Sequence, residues 1–116
     1  MLEISSGKVV RVFASPSLVQ LALALAREFG SDNRQLRNYV SSLNEDEQIS
    51  LVALTWIGRE SFEADEAADA MHTARQEMTL PTDGYLARIP NLADYLEDGM
   101  EALGIGVADA EDHLRD

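Results

Sequence analysis

The sequence has no cysteine at all. That excludes disulfides, thiolate metal sites, iron–sulfur clusters and a cysteine nucleophile, and it suits a reducing cytoplasm. Lysine is nearly missing too, Lys8 being the only one. No Gly-x-Ser-x-Gly elbow and no phosphate-cradling glycine-rich loop occur, so neither nucleophilic hydrolysis nor nucleotide chemistry has a motif to rest on. Long apolar runs are lacking as well. Ser17 to Ala26 follows Lys8 and Arg11 as a secretory core would. Gln20 interrupts it, Arg27-Glu28-Phe29 continues it at helical spacing, and it falls short of the ~20 residues that span a bilayer. A buried first helix is expected, without a membrane.

Positive charge is the other scarcity. The formal charge is −12 over 116 residues, a length that suits one domain with one core. Residues 1–42 carry Lys8, Arg11, Arg27, Arg34 and Arg37 against Glu3, Glu28 and Asp32, a balance of +2. From Leu43 onward only Arg59, Arg75, Arg88 and Arg115 oppose eighteen carboxylates, a balance of −14. Phosphate binding depends on Lys and Arg displacing condensed counterions, so direct nucleic-acid binding by the main body is disfavoured.

The apolar spacing predicts an all-α domain, compact and single, of five to six helices around a buried central helix. Residues 1–14 read as an extended amino-terminal segment in which Val10 and Val12 alternate with Arg11 like a short strand; 15–104 form the helical domain; 105–116 are a charged tail. Ser15-Pro16 opens a helix that Gly30 ends, with Leu18, Leu21, Ala22, Leu25, Ala26 and Phe29 on one arc and Val19 and Leu23 making the other side apolar too. That helix is expected to be largely buried. A short helix follows from Gln35 to Ser42. Asn44 with Glu47 forms a capping box before Ile49 to Ile57, which is apolar on every face and stops at Gly58.

A fourth helix is expected from Asp65 to Thr79, with a narrow stripe of Ala67, Ala70, Met71, Ala74 and Met78. Thr82 should cap a short helix that runs through Arg88. The last helix, Asn91 to Leu103, is two-sided: Leu92, Tyr95, Leu96, Gly99, Met100 and Leu103 face one way, and Asp94, Glu97, Asp98 and Glu101 the other.

Two blocks are distinctive. Leu43-Asn-Glu-Asp-Glu-Gln-Ile-Ser-Leu-Val-Ala-Leu-Thr-Trp-Ile-Gly-Arg59 resembles the core motif of the bacterial domain-of-unknown-function 3775 family. Tyr85-Leu-Ala-Arg-Ile-Pro-Asn-Leu-Ala-Asp-Tyr-Leu-Glu-Asp-Gly99 is similar to its carboxy-terminal signature, and the first helix fits as well. The chain departs from the family pattern between Phe29 and Leu36 and in its amino-terminal stretch. The resemblance implies a helical bacterial domain and carries over no activity, catalytic residue or cofactor.

Each polar constellation has a bland reading beside the sharp one. Trp56, Gly58 and Arg59 could form a binding surface, since Trp and Arg dominate interface hot spots, or Trp56 could be core with Arg59 answering nearby carboxylates. Glu66, Asp69 and His72 share a helix face at metal-ligand spacing, yet no second carboxylate-x-x-His pair completes a dinuclear site, and a solvated histidine is the plainer account. The acidic rows, Asp94, Glu97, Asp98 and Glu101 with Glu63, Asp65, Glu66 and Asp69, are either a solvated face or a surface for a basic partner.

The expectation is therefore a cytoplasmic, non-enzymatic interaction module without a cofactor. Its partner-binding residues would be Asp94, Glu97, Asp98, Glu101, Arg59, Glu63, Glu66 and Asp69. It would engage a basic protein surface or a nucleic-acid-handling complex, in its narrowest form as an inhibitor of the anti-CRISPR kind. The alternative is a structural or regulatory homo-oligomer with Met71, Ala74, Met78 or Trp56 at the interface.

Overall fold

The computed structural model describes residues 16–78 and 81–104. The expected amino-terminal strand, the Ser15 cap and the charged tail lie outside the described residues. Within them are six α-helices: α1 (Pro16–Phe29), α2 (Arg34–Ser42), α3 (Glu45–Gly58), α4 (Ala67–Glu77), α5 (Thr82–Ala87) and α6 (Leu92–Ala102). A 3₁₀ turn, Ala64–Glu66, leads into α4. The all-α architecture with a central helix is as expected.

The centre is α3. Its start is held by a reciprocal cap: the Glu47 N–H donates to Asn44 Oδ1 at 2.8 Å and the Asn44 N–H to Glu47 Oε1 at 2.9 Å. Glu45, Asp46 and Glu47 place their charges at the positive end of the helix dipole. Every residue from Ile49 to Ile57 is buried. Ser50 and Thr55 can lie among them because each hydroxyl donates back to the carbonyl one turn earlier, Ser50 Oγ to Asp46 at 2.9 Å and Thr55 Oγ1 to Leu51 at 2.8 Å. A helix apolar all round must be enclosed, and α4, α5 and α6 pack against it.

Against α6 the enclosure is unusually close. A β-carbon added to Gly58 would stand 1.8 Å from the Tyr95 carbonyl oxygen, and one added to Gly99 would stand 2.4 Å from that of Leu54. Two glycines, one per helix, thus let the backbones touch. Gly58 ends α3 as expected, but it is needed for this contact; the left-handed residue of the turn is Glu60, at φ 70°. On α6 the expected apolar face is buried through Leu92, Leu96, Gly99 and Met100.

The first helix differs from expectation. Its buried residues are Val19, Ala22, Leu23 and Ala26, while Leu21 and Phe29 are each 47% exposed. Two apolar stripes compete on α1 and its partners α2 and α6 cover only one. Tyr39 of α2 ties down the start of α1 by donating to the Leu18 carbonyl at 3.0 Å. Burial, and secondarily the Glu47 carboxylate, push the Tyr39 hydroxyl above its ordinary pKa.

Further corrections concern the other helices. The 3₁₀ turn occupies the predicted start of the fourth helix, so the α-helix begins at Ala67. Its alanines do bring it close: Ala67, Ala70 and Ala74 are buried with Met71, in contact with α3. Thr82 is the buried first residue of α5 with Pro81 in the capping position, so it caps nothing.

Gly99→Ala and Gly58→Ala are expected to destabilise by about 3 kcal/mol or more, since a methyl must displace backbone. Gly30→Ala, at φ 86° with nothing within 4 Å of the added carbon, should cost about 1 kcal/mol from backbone strain alone. Urea unfolding ranks the three. Tyr39→Phe should lose about 1 kcal/mol at pH 7 with its hydrogen bond. Because the raised pKa favours the neutral phenol in the fold, the wild-type advantage is full below about pH 10 and fades as pH rises through the folded value. The urea midpoints of wild type and variant should therefore differ at pH 7 and converge as pH rises above 10.

Candidate functional site

The acidic face of α6 is split by the fold. Arg27 of α1 reaches across to it, with Nη1 3.5 Å from Asp94 Oδ1 and Nη2 bonded to Glu97. All three side chains are well exposed, that of Asp94 to 67%, so these pairs set geometry more than stability. Asp98 and Glu101, further along the same helix, enter no ion pair among the described residues.

They line a groove instead. One part, about 520 Å³, is bounded by Ile57, Gly58, Glu60, Asp98, Glu101 and Ala102. A second part, about 430 Å³, shares Ile57, Glu60 and Ala102 and adds Phe62, Glu63 and Ala64. The groove therefore joins the end of α3, the connection to α4 and the last turns of α6. Its walls combine apolar atoms of Ile57, Phe62 and Ala102 with the carboxylates of Glu60, Glu63, Asp98 and Glu101.

The aromatic wall is anchored from beneath. Phe62 stacks on Trp56 with ring centroids 6.0 Å apart and an interplanar angle of 19°. Trp56 is only 7% exposed, and its Nε1–H donates to the Tyr85 hydroxyl at 2.9 Å. Trp56 is thus core, the plainer of its two readings in the sequence. Its neighbour Phe62 presents the aromatic edge. Chemically, carboxylates around an apolar strip suit arginine or lysine side chains, whose stems pack while their heads pair.

The predicted partner-binding residues therefore divide. Asp98, Glu101 and Glu63 meet at the groove; Asp94 and Glu97 are engaged by Arg27. Arg59 is exposed, with Nε donating to Ser61 Oγ at 3.2 Å and no carboxylate partner among the described residues. Glu66 is turned to the Glu63 N–H, which donates to its Oε1 at 2.8 Å. Asp69 and His72 lie exposed on α4, and among the described residues no three His, Asp or Glu side chains could together hold a metal ion. Sequence reasoning missed Glu60 and Phe62. Neither stands in a helical row, and only the turn after α3 brings them beside α6.

Residues 33–105 match the model of a family described as Protein of unknown function (DUF3775). The match takes in both distinctive blocks and begins at Asn33, so α1 lies outside it. No curated protein and no solved structure matches the chain.

Removing the bridge tests how α6 is divided. Arg27→Ala should lower stability by less than about 1 kcal/mol in dilute salt, with the difference shrinking in 1 M salt as screening removes the pairs. Thermal melts at the two ionic strengths measure it.

Proposed function

This chain belongs to the DUF3775 family, and we propose that it serves as a non-enzymatic interaction module, acting in the cytoplasm, whose acidic groove receives a basic protein surface. One observation carries the reading. Glu60, Glu63, Asp98 and Glu101 surround an apolar strip and have no cationic partner among the described residues. Exposed carboxylates alone are commonplace; their placement around Phe62, Ile57 and Ala102 is what favours a ligand with an aliphatic stem and a cationic head. The narrowest form of the proposal is an inhibitor that occupies the phosphate-binding cleft of a nucleic-acid-processing complex, where such cations are concentrated.

A second reading, a regulatory homo-oligomer, is favoured by a different feature. Of its first-expected interface, Met71, Ala74 and Trp56 are buried within the protomer and Met78 is half-buried. Leu21 and Phe29 of α1, by contrast, are exposed.

The groove is tested by affinity capture from bacterial lysate with the wild-type chain and with Glu60→Lys/Asp98→Lys/Glu101→Lys. A basic protein held at 50 mM salt, released near 300 mM and lost by the variant is the expected result. Displacement of that protein by added DNA would support the inhibitor form. Equal capture by both proteins would remove the groove from any role.

A further inference from the structure

We propose that the groove selects arginine over lysine, and that it does so in one of its two parts. The proposal rests on the acidic-groove reading and names the side chain that the groove receives. The two parts adjoin, since Ile57, Glu60 and Ala102 line both, but they differ in kind. Phe62 and Glu63 stand in the part of about 430 Å³. The part of about 520 Å³ is lined by Asp98 and Glu101 and has no aromatic ring.

A planar cation suits the aromatic part better than a compact one. The guanidinium group is flat, weakly hydrated and offers five N–H donors in a fixed fork, so it can stack on a ring while it pairs with carboxylates beside that ring. An ammonium is a strongly hydrated point charge and gains less from either contact. Phe62 is in place before any ligand arrives. It is half-buried, stacked on Trp56 on one side and lining the groove on the other. Trp56 in turn is buried and held through its Nε1–H by the Tyr85 hydroxyl at 2.9 Å. Glu60 lies two residues before the ring and Glu63 one after it. Main-chain bonds fix the turn that carries Glu60: its N–H donates to the Ile57 carbonyl at 3.0 Å, and that of Ser61 to the Trp56 carbonyl at 2.9 Å. With the ring already ordered, little binding energy is lost in immobilising it.

The other part offers only charge and aliphatic surface. Asp98 and Glu101 lie one turn apart on α6, both exposed and without an ion-pair partner among the described residues. Arginine and lysine satisfy such a pair alike, each packing its stem and extending its head. The preferred ligand is therefore a protein segment with two neighbouring cations, of which one is arginine. The net charge of −12 attracts both kinds of cation equally, so the discrimination comes from the ring and not from the field of the whole molecule.

Anisotropy titrations of the full chain with fluorescein-labelled Gly-Arg-Ala-Arg-Gly and Gly-Lys-Ala-Lys-Gly, in 50 mM salt, test the assignment. The arginine peptide should bind about fivefold more tightly, and the better of the two mixed peptides should match it, because only one part holds a ring. Phe62→Leu should remove the preference by weakening the arginine peptide alone, and Phe62→Tyr should keep it. Asp98→Asn/Glu101→Gln should weaken both peptides equally. Should Phe62→Leu fail to fold, Glu60→Gln/Glu63→Gln changes only exposed side chains and should weaken the arginine peptide more than the lysine peptide. Equal affinities in the wild type, or a preference that survives Phe62→Leu, overturn the arginine assignment and leave the basic-surface reading standing. A preference lost with the ring, beside lysate capture that the triple lysine variant leaves unchanged, supports the assignment and sinks that reading. Binding of neither peptide up to 1 mM overturns the assignment, and lysate capture then decides the reading by itself.

Discussion

The contact between the backbones of α3 and α6 is the constraint on which the rest depends. Helices normally keep about 8–10 Å between axes because side chains stand between them. Here Gly58 meets the Tyr95 main chain and Gly99 that of Leu54, so no side chain intervenes at those two points. The close crossing encloses the apolar residues of α3 and makes room for Leu96 and Met100 on the facing helix. It also draws the end of α3 alongside the last turns of α6. Without that approach, Glu60 would not share a groove with Asp98 and Glu101.

Where a local signal determined an element, the sequence was sufficient. Asn44 and Glu47 announce the start of α3 because each satisfies the other's backbone donor, a transaction completed within four residues. Residues Ile49 to Ile57 demand enclosure whatever their neighbours are, and the two-sided pattern of α6 has one dry solution. The misreadings arise where alternatives are locally equivalent. Both stripes of α1 are apolar, and which one is buried depends on how α2 and α6 approach it. Thr82 and Pro81 can each stand at a helix start. Glu60 adopts a left-handed conformation that no residue preference for glutamate would suggest.

The candidate site was legible only in part for the same reason. Its carboxylates on α6 were visible as a row, but the row was expected to act as one face. Charge segregated along the chain is recombined by folding: Arg27 reaches Asp94 and Glu97, and Arg37 reaches Asp83 with Nε 3.3 Å from Oδ2. The cations of the first part of the chain thus neutralise a portion of the acids of the second. What is left over defines the negative surface, and that remainder is a property of tertiary structure, inaccessible to residue counting.

The aromatic stack has a practical consequence of its own. Trp56 is the chain's sole tryptophan, shielded from water and coupled through its ring to Phe62, a wall of the groove. Its fluorescence therefore belongs to one place in the molecule, with no background from elsewhere. A ligand that shifts Phe62 alters the polarisable surroundings of the indole, so occupancy can be followed optically without attaching a dye. The fold has, in effect, put a light source behind its own groove.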